Sequence, residues 1–183
     1  MRTGGEKRLR TLVYFGGIGV GYMFMEMALI QRFILYLGHP IHAAAAVISL
    51  LLVFSGWGSL ASAKRPRNPQ IILGGIAASI LLCSFILAPA LAITISLPLA
   101  GRLGMAIGLT APLAFWMGMP FPLGLSGLSA EQAPWAWGIN GCLSVISAPL
   151  ATILAVELGF TLVMTLAAIA YAAAALANRF RIA

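Results

Sequence analysis

Six long apolar runs dominate this chain and leave it few ways to fold. Each run has about 18 or more residues, enough for a helix to cross a hydrocarbon core of about 30 Å. The predicted spans cover residues 11–37, 41–62, 71–97, 102–119, 135–156 and 160–177. We therefore predict an all-α polytopic membrane bundle of six helices, which forms a single transmembrane domain over residues 1–183.

The composition excludes a water-soluble surface. Of the 183 residues, 61% are hydrophobic and only 8% are charged, whereas a soluble domain carries about 25% charged residues. The first apolar run is basic at its start but continues far beyond the apolar core of a signal peptide, which is about 7 to 15 residues long. We expect an uncleaved first span.

Prolines and glycines predict where the spans end or bend. The sequence Gly38-His39-Pro40 ends the first span, because proline disfavours a helical conformation at the residue before it. Pro89 predicts a kink or an early end in the third run, and Pro112 predicts a kink in the fourth. Pro120 and Pro122 stop the fourth span, and we expect an interfacial loop over residues 121–134.

The basic residues predict the orientation of the bundle. The net charge of +7 in a soluble protein would suggest nucleic-acid binding, but these residues lie beside membrane spans, and we predict no nucleic-acid partner. Nine of them fall on one side of the spans: Arg2, Lys7, Arg8, Arg10, Lys64, Arg65, Arg67, Arg179 and Arg181. The other side has Arg102, and Arg32 lies within the first span. The positive-inside rule therefore places both termini in the cytoplasm.

Small residues and cysteines predict helix packing. The pairs Gly17/Gly21, Ser55/Ser59 and Gly104/Gly108 have four-residue spacing, which permits close helix approach or, as an alternative, dimerisation. Cys83 and Cys142 lie in apolar runs without the spacing of a metal or redox motif, so we interpret both as packing residues.

Glu26 is the strongest candidate for a functional side chain, because it lies near the middle of the first span. A carboxylate at that depth must be paired, protonated or facing a cavity. It is either a proton or cation site or a neutral glutamate that hydrogen-bonds to a neighbouring helix. Arg32 lies about 9 Å along the axis and about 120° around it, so a direct pair within the helix is unfavourable. We expect Arg32 to reach outward or to meet another helix.

The other polar candidates lie near span ends. A polar patch that could bind an anionic headgroup or ligand contains Gln31, Arg32, His39 and His42. We favour the alternative that these four are interface residues wetted by lipid headgroups. Asn140 is expected to hydrogen-bond between helices rather than to a ligand. Trp135 and Trp137 are typical of an aromatic belt.

No motif predicts catalysis. The glycines at 16–21 lie inside a span and follow no strand, so no nucleotide loop is indicated. The chain has no Asp, which excludes a Ser/His/Asp triad. We expect no enzyme activity, no catalytic residue, no cofactor and no metal.

The most distinctive motifs lie in two blocks. The first comprises GYMFMEMALIQRF at 21–33, LGHP at 37–40 and SGWGS at 55–59, and the second comprises GMPFPLG at 118–124 and WAWGING at 135–141. In these blocks the chain resembles the membrane part of bacterial spermidine synthase-like membrane proteins. The resemblance implies the membrane fold and draws attention to the site candidates at matching positions, which are Glu26, Gln31, Arg32, His39 and Asn140.

Members of that family often carry a soluble Rossmann-type domain that resembles an aminopropyltransferase, and these 183 residues contain nothing similar. The resemblance therefore does not imply aminopropyl transfer by this chain. We expect a multi-pass protein of a bacterial inner membrane, in contact with lipid and with other membrane subunits, that acts as an accessory or anchoring subunit. The alternative is a small-solute carrier or half-carrier, for a cation or a polyamine-like solute, that uses Glu26.

The predicted orientation can be tested by cysteine labelling. In a background that lacks Cys83 and Cys142, one variant carries Asn68→Cys and another carries Gly101→Cys. We expect a membrane-impermeant thiol reagent to label intact cells at position 101 and not at position 68, because the basic side should face the cytoplasm. Labelling at position 68 but not at position 101 would show that the basic side of the bundle faces outward, opposite to the prediction.

Overall fold

The fold is a bundle of long helices. The computed structural model describes residues 4–64 and 68–179, and within these ranges it contains no strand. The helices are α1 (Gly4–Leu37), α2 (Pro40–Lys64), α3 (Pro69–Thr94), α4 (Leu99–Met117), α5 (Pro120–Leu125), α6 (Ala133–Leu158) and α7 (Phe160–Arg179). Six of the described helical segments are long and apolar enough to cross a membrane. The all-α, six-span membrane fold is thus confirmed. Arg2, Arg65, Arg67 and Arg181 lie outside the described residues.

Local sequence explains the tight connections between consecutive helices. Gly38 has a φ of +78° and turns the chain from α1 into α2, which begins at Pro40. Gly159, with a φ of +90°, is the single residue between α6 and α7. Glycine adopts these left-handed conformations without the steric cost that a Cβ would bring. The side chain of Asn68 accepts a hydrogen bond from the Gln70 amide at 3.0 Å and so caps α3.

Prolines lie inside α3 and α4, and the kinks predicted at Pro89 and Pro112 stay predictions. Helix α3 continues through Pro89 and ends at Thr94, before the apolar run does, and α4 continues through Pro112. The predicted interfacial loop at 121–134 was wrong in part, because Pro120–Leu125 forms the short helix α5. Proline suits the first position of a helix, because the backbone N–H at that position has no acceptor within the helix and its absence costs no hydrogen bond.

Helix α1 lies at the centre of the bundle. It contacts α2, α6 and α7 extensively and also touches α4 and α5. In its most apolar window 56% of the residues are buried, whereas the figure is 17% in α6. Most of the other helices therefore pack around α1, whereas α3 packs mainly on α7.

Glycines on two faces of α1 allow its closest helix contacts. A Cβ added at Gly21 would lie 2.8 Å from the Tyr171 ring of α7, and one at Gly17 would lie 2.7 Å from the carbonyl oxygen of Ala170. On the other face, a Cβ at Gly19 would meet Asn140 of α6 at 2.8 Å. The predicted packing role of Gly17 and Gly21 is confirmed.

The contact between α2 and α4 also depends on glycine, at positions that the spacing pattern missed. A Cβ at Gly58 would overlap the carbonyl group of Phe115, and a Cβ at Gly118 would overlap the backbone of Ser55. By contrast, Gly104 and Gly108 are exposed, and an added Cβ at either would meet no atom within 4 Å. This pair does not pack against another described helix of the chain.

A matched pair of substitutions tests the α2–α4 contact. Gly58→Ala places a methyl group against backbone that cannot rotate away, so we expect a loss of about 1–3 kcal/mol of stability, as for other overpacked sites. Gly56→Ala is the control, because Gly56 is on the same helix and is exposed with open space around it. Thermal unfolding in detergent should show a lower Tm for Gly58→Ala alone. Equal Tm values would contradict the close contact.

Candidate functional site

Glu26 lies on the central helix, one turn after Tyr22 and on the same face. Its side chain is half-buried. The Tyr22 hydroxyl lies 3.4 Å from the hydroxyl oxygen of Ser55 on α2 and is close enough to Glu26 for electrostatic interaction. Within the described ranges, Glu26 itself has neither a hydrogen bond nor an ion pair. The neighbouring-helix hydrogen bond that the structural interpretation of Glu26 required is therefore not present among these residues.

Tyr171 adds a third hydroxyl group beside this face of α1. Its side chain is fully buried, and its hydroxyl has no hydrogen-bond partner in the described part of the chain. The ring packs on Gly21, and Tyr171 lies within electrostatic reach of Tyr22. We call Tyr22, Glu26, Ser55 and Tyr171 the mid-bundle polar cluster. It brings together one carboxyl group and three hydroxyl groups from α1, α2 and α7.

Arg32 lies away from this cluster and does not pair with Glu26. Its guanidinium carbon is 4.6 Å from the centre of the Phe160 ring at the start of α7, a cation–π geometry. Its Nε is buried without a partner among the described residues. The expectation that Arg32 meets another helix is confirmed. Gln31 is half-buried beside it and shares no described contact with Glu26.

His39 and His42 lie together at the turn between α1 and α2. Their ring centres are 4.6 Å apart and both side chains are exposed. Across the two described ranges, no three His, Cys, Asp or Glu side chains come close enough to hold a metal ion. The histidine pair alone is a poor metal site, because a structural zinc needs about four ligands.

A second polar cluster occupies the same end of the bundle. Arg102 donates from Nη1 to the carbonyl oxygen of Tyr36 at 2.9 Å and from Nε to that of Leu97 at 3.1 Å. The Tyr36 hydroxyl lies 2.8 Å from Thr94 Oγ1. Since Thr94 donates its own proton to the Ala90 carbonyl, Tyr36 is the donor to Thr94. These contacts join α1, α3 and α4 at their ends.

Asn140 forms a hydrogen bond between helices, as predicted. Its Nδ2 donates to the carbonyl oxygen of Phe15 at 3.0 Å and so joins α6 to α1. The site candidates are therefore spread over separate places: Asn140 near one end of α1, Glu26 in the middle, and Arg32 and His39 towards the other end. They do not form one site.

Sequence reasoning missed the neighbours of Glu26 in the mid-bundle polar cluster. The four-residue spacing of Tyr22 and Glu26 was visible and could have identified the first of them. Ser55 and Tyr171 carry no comparable signal, because only the packing of α2 and α7 brings them to α1.

Comparison of the chain with protein-family models, with curated proteins and with solved structures finds no match.

Proposed function

We propose that this multi-pass membrane protein is a non-catalytic accessory or anchoring subunit of a larger membrane complex. The observation that supports the proposal is the outward pair Gly104/Gly108 on α4, which has the spacing of a helix-packing motif and open space above both residues. Lipid chains gain little from such a glycine face, whereas a partner helix can approach its backbone closely. The partner in this proposal is a helix from another chain.

We also propose that the protein lies in a bacterial inner membrane. The sequence resemblance to the membrane part of spermidine synthase-like proteins favours a bacterial inner membrane and a lineage of modules that accompany other domains. The lateral surface supports a docking role, since α4 turns Gly104 and Gly108 outward and α6 buries few of its own residues against the bundle. In this proposal any chemistry belongs to the partner.

Co-purification tests the subunit role. A tagged chain, expressed at native level in its own cell, is extracted in mild detergent and every co-purifying chain is identified. We expect Gly108→Leu to lose a partner that the wild type retains, because the larger side chain keeps the partner helix away from α4. The control Gly56→Leu adds the same bulk to another exposed glycine and should retain that partner.

Two results bear against this role. If the wild type purifies without a stoichiometric partner, the subunit proposal fails. If it retains only differently tagged copies of itself, the outward pair is a self-association surface instead.

A carrier is the second candidate, and the mid-bundle polar cluster is the observation that favours it. Glu26 lies at a depth where an unpaired charge is costly, yet no described residue neutralises it. Nearby hydroxyl groups of Tyr22 and Tyr171 supply donors that could accompany a change in its protonation. Such a group is suited to taking up and releasing a proton or cation.

Glu26→Gln separates the two candidates. The amide keeps the shape of a neutral glutamate but cannot gain or lose the charge, so ion-coupled uptake into reconstituted vesicles should be lost if Glu26 is the coupling site. Stability and assembly should change by at most about 1 kcal/mol, in line with hydrogen bonds inside membranes. Wild-type uptake that Glu26→Gln leaves unchanged would exclude Glu26 as the coupling residue.

A further inference from the structure

A cavity of about 590 Å³ opens on the lateral surface between α1 and α6. We call it the α1–α6 groove. Its lining is apolar and includes Leu12, Trp135, Gly138, Ile139, Cys142 and Leu143. An apolar groove of this size on the side of a membrane bundle can hold part of a lipid chain.

The shape of the groove follows from the residues of α6. Gly138 has no side chain, and an added Cβ there would meet no atom within 4 Å, so the floor stays open. Trp135 is 75% exposed and stands beside the opening. Cys142, predicted to be a packing residue, is exposed and lines the groove instead.

The groove runs toward the basic end of the bundle. Helices α1 and α6 run parallel, since Gly16 lies beside Leu143 and Gly19 beside Ser144, and Leu12 and Trp135 line the same groove nearer the start of both helices. Arg8 precedes Leu12 by one turn on the same face of α1 and is exposed. A positive charge therefore lies just beyond the end of the groove where α6 begins.

The charge at this end of the bundle is strongly positive. By their place in the sequence, nine basic residues belong to it against two acidic ones, Glu6 and Glu131. Basic residues beside a membrane span attract anionic lipids, with about 1 kcal/mol for each residue near the surface. A zwitterionic lipid gains less, because its own ammonium group opposes the same charge.

We propose that the α1–α6 groove binds an anionic phospholipid, with an acyl chain along Leu12 and Gly138 and the phosphate group at Arg8. The apolar lining accounts for the chain, and Arg8 accounts for the preference for a negative headgroup. The site is independent of Glu26 and of the outward pair on α4.

Tryptophan quenching by brominated lipids tests the site in the full chain. Trp135 is kept as the only tryptophan by replacing Trp57, Trp116 and Trp137 with Phe, and the protein is reconstituted in phosphatidylcholine vesicles. Brominated phosphatidylglycerol should quench Trp135 with about fivefold higher relative affinity than brominated phosphatidylcholine, the ratio that about 1 kcal/mol produces. Arg8→Gln should reduce this ratio to near one.

Three controls make the test specific. Lys64→Gln removes a basic residue at the same end but outside the groove and should leave the ratio unchanged. A variant that keeps only Trp57, which is exposed on α2, should show a smaller preference for phosphatidylglycerol than Trp135 does. Gly138→Leu fills the groove and should reduce quenching of Trp135 by either lipid.

The proposal is overturned if Trp135 shows no preference for phosphatidylglycerol or if Arg8→Gln leaves the preference intact. An equal preference at Trp57 would also overturn it, because the attraction would then belong to the whole basic end. Unchanged quenching in Gly138→Leu would show that the chain does not enter the groove.

Discussion

The close approach of α1 to its neighbours is the contact on which the rest of the bundle depends. Inside a bilayer the hydrophobic effect does not favour one helix neighbour over lipid, so packing between helix surfaces must select the arrangement. Gly17 and Gly21 bring α7 against one face of α1, and Gly16 and Gly19 bring α6 against another. With α1 enclosed on these faces, the polar side chains Tyr22, Glu26 and Arg32 are half-buried at the edges of the helix contacts.

Hydrogen bonds then hold α1 near both ends. Tyr14 donates to the Pro120 carbonyl at 2.7 Å and Asn140 donates to Phe15, whereas Tyr36 meets Thr94 at the other end. Each such bond contributes only about 0.6–2 kcal/mol inside a membrane. Their main effect is to fix the position of α1 relative to its neighbours. Glu26 lies between these two sets and has no hydrogen bond or ion pair among the described residues.

The outward surface divides into regions with different chemistry. The α4 face offers glycines that suit a partner helix, and the α1–α6 groove offers an apolar channel that leads to Arg8. Both features arise where a helix turns a residue without a side chain away from the bundle. A protein anchored in a complex would use the first for a protein contact while the second remains available to lipid.

The sequence alone determined the number of spans and their approximate limits, because hydropathy, Pro40 and Gly159 act locally. It also indicated the interhelical hydrogen bond of Asn140, but it left two surroundings open for Arg32. It did not determine which faces point inward. The spans are apolar nearly all round, so their periodicity carries little information about rotation. Only the tertiary structure turned Gly104 and Gly108 outward, exposed Cys142 and brought Ser55 and Tyr171 beside the face of Glu26, since those positions depend on how each helix packs against α1 and its neighbours.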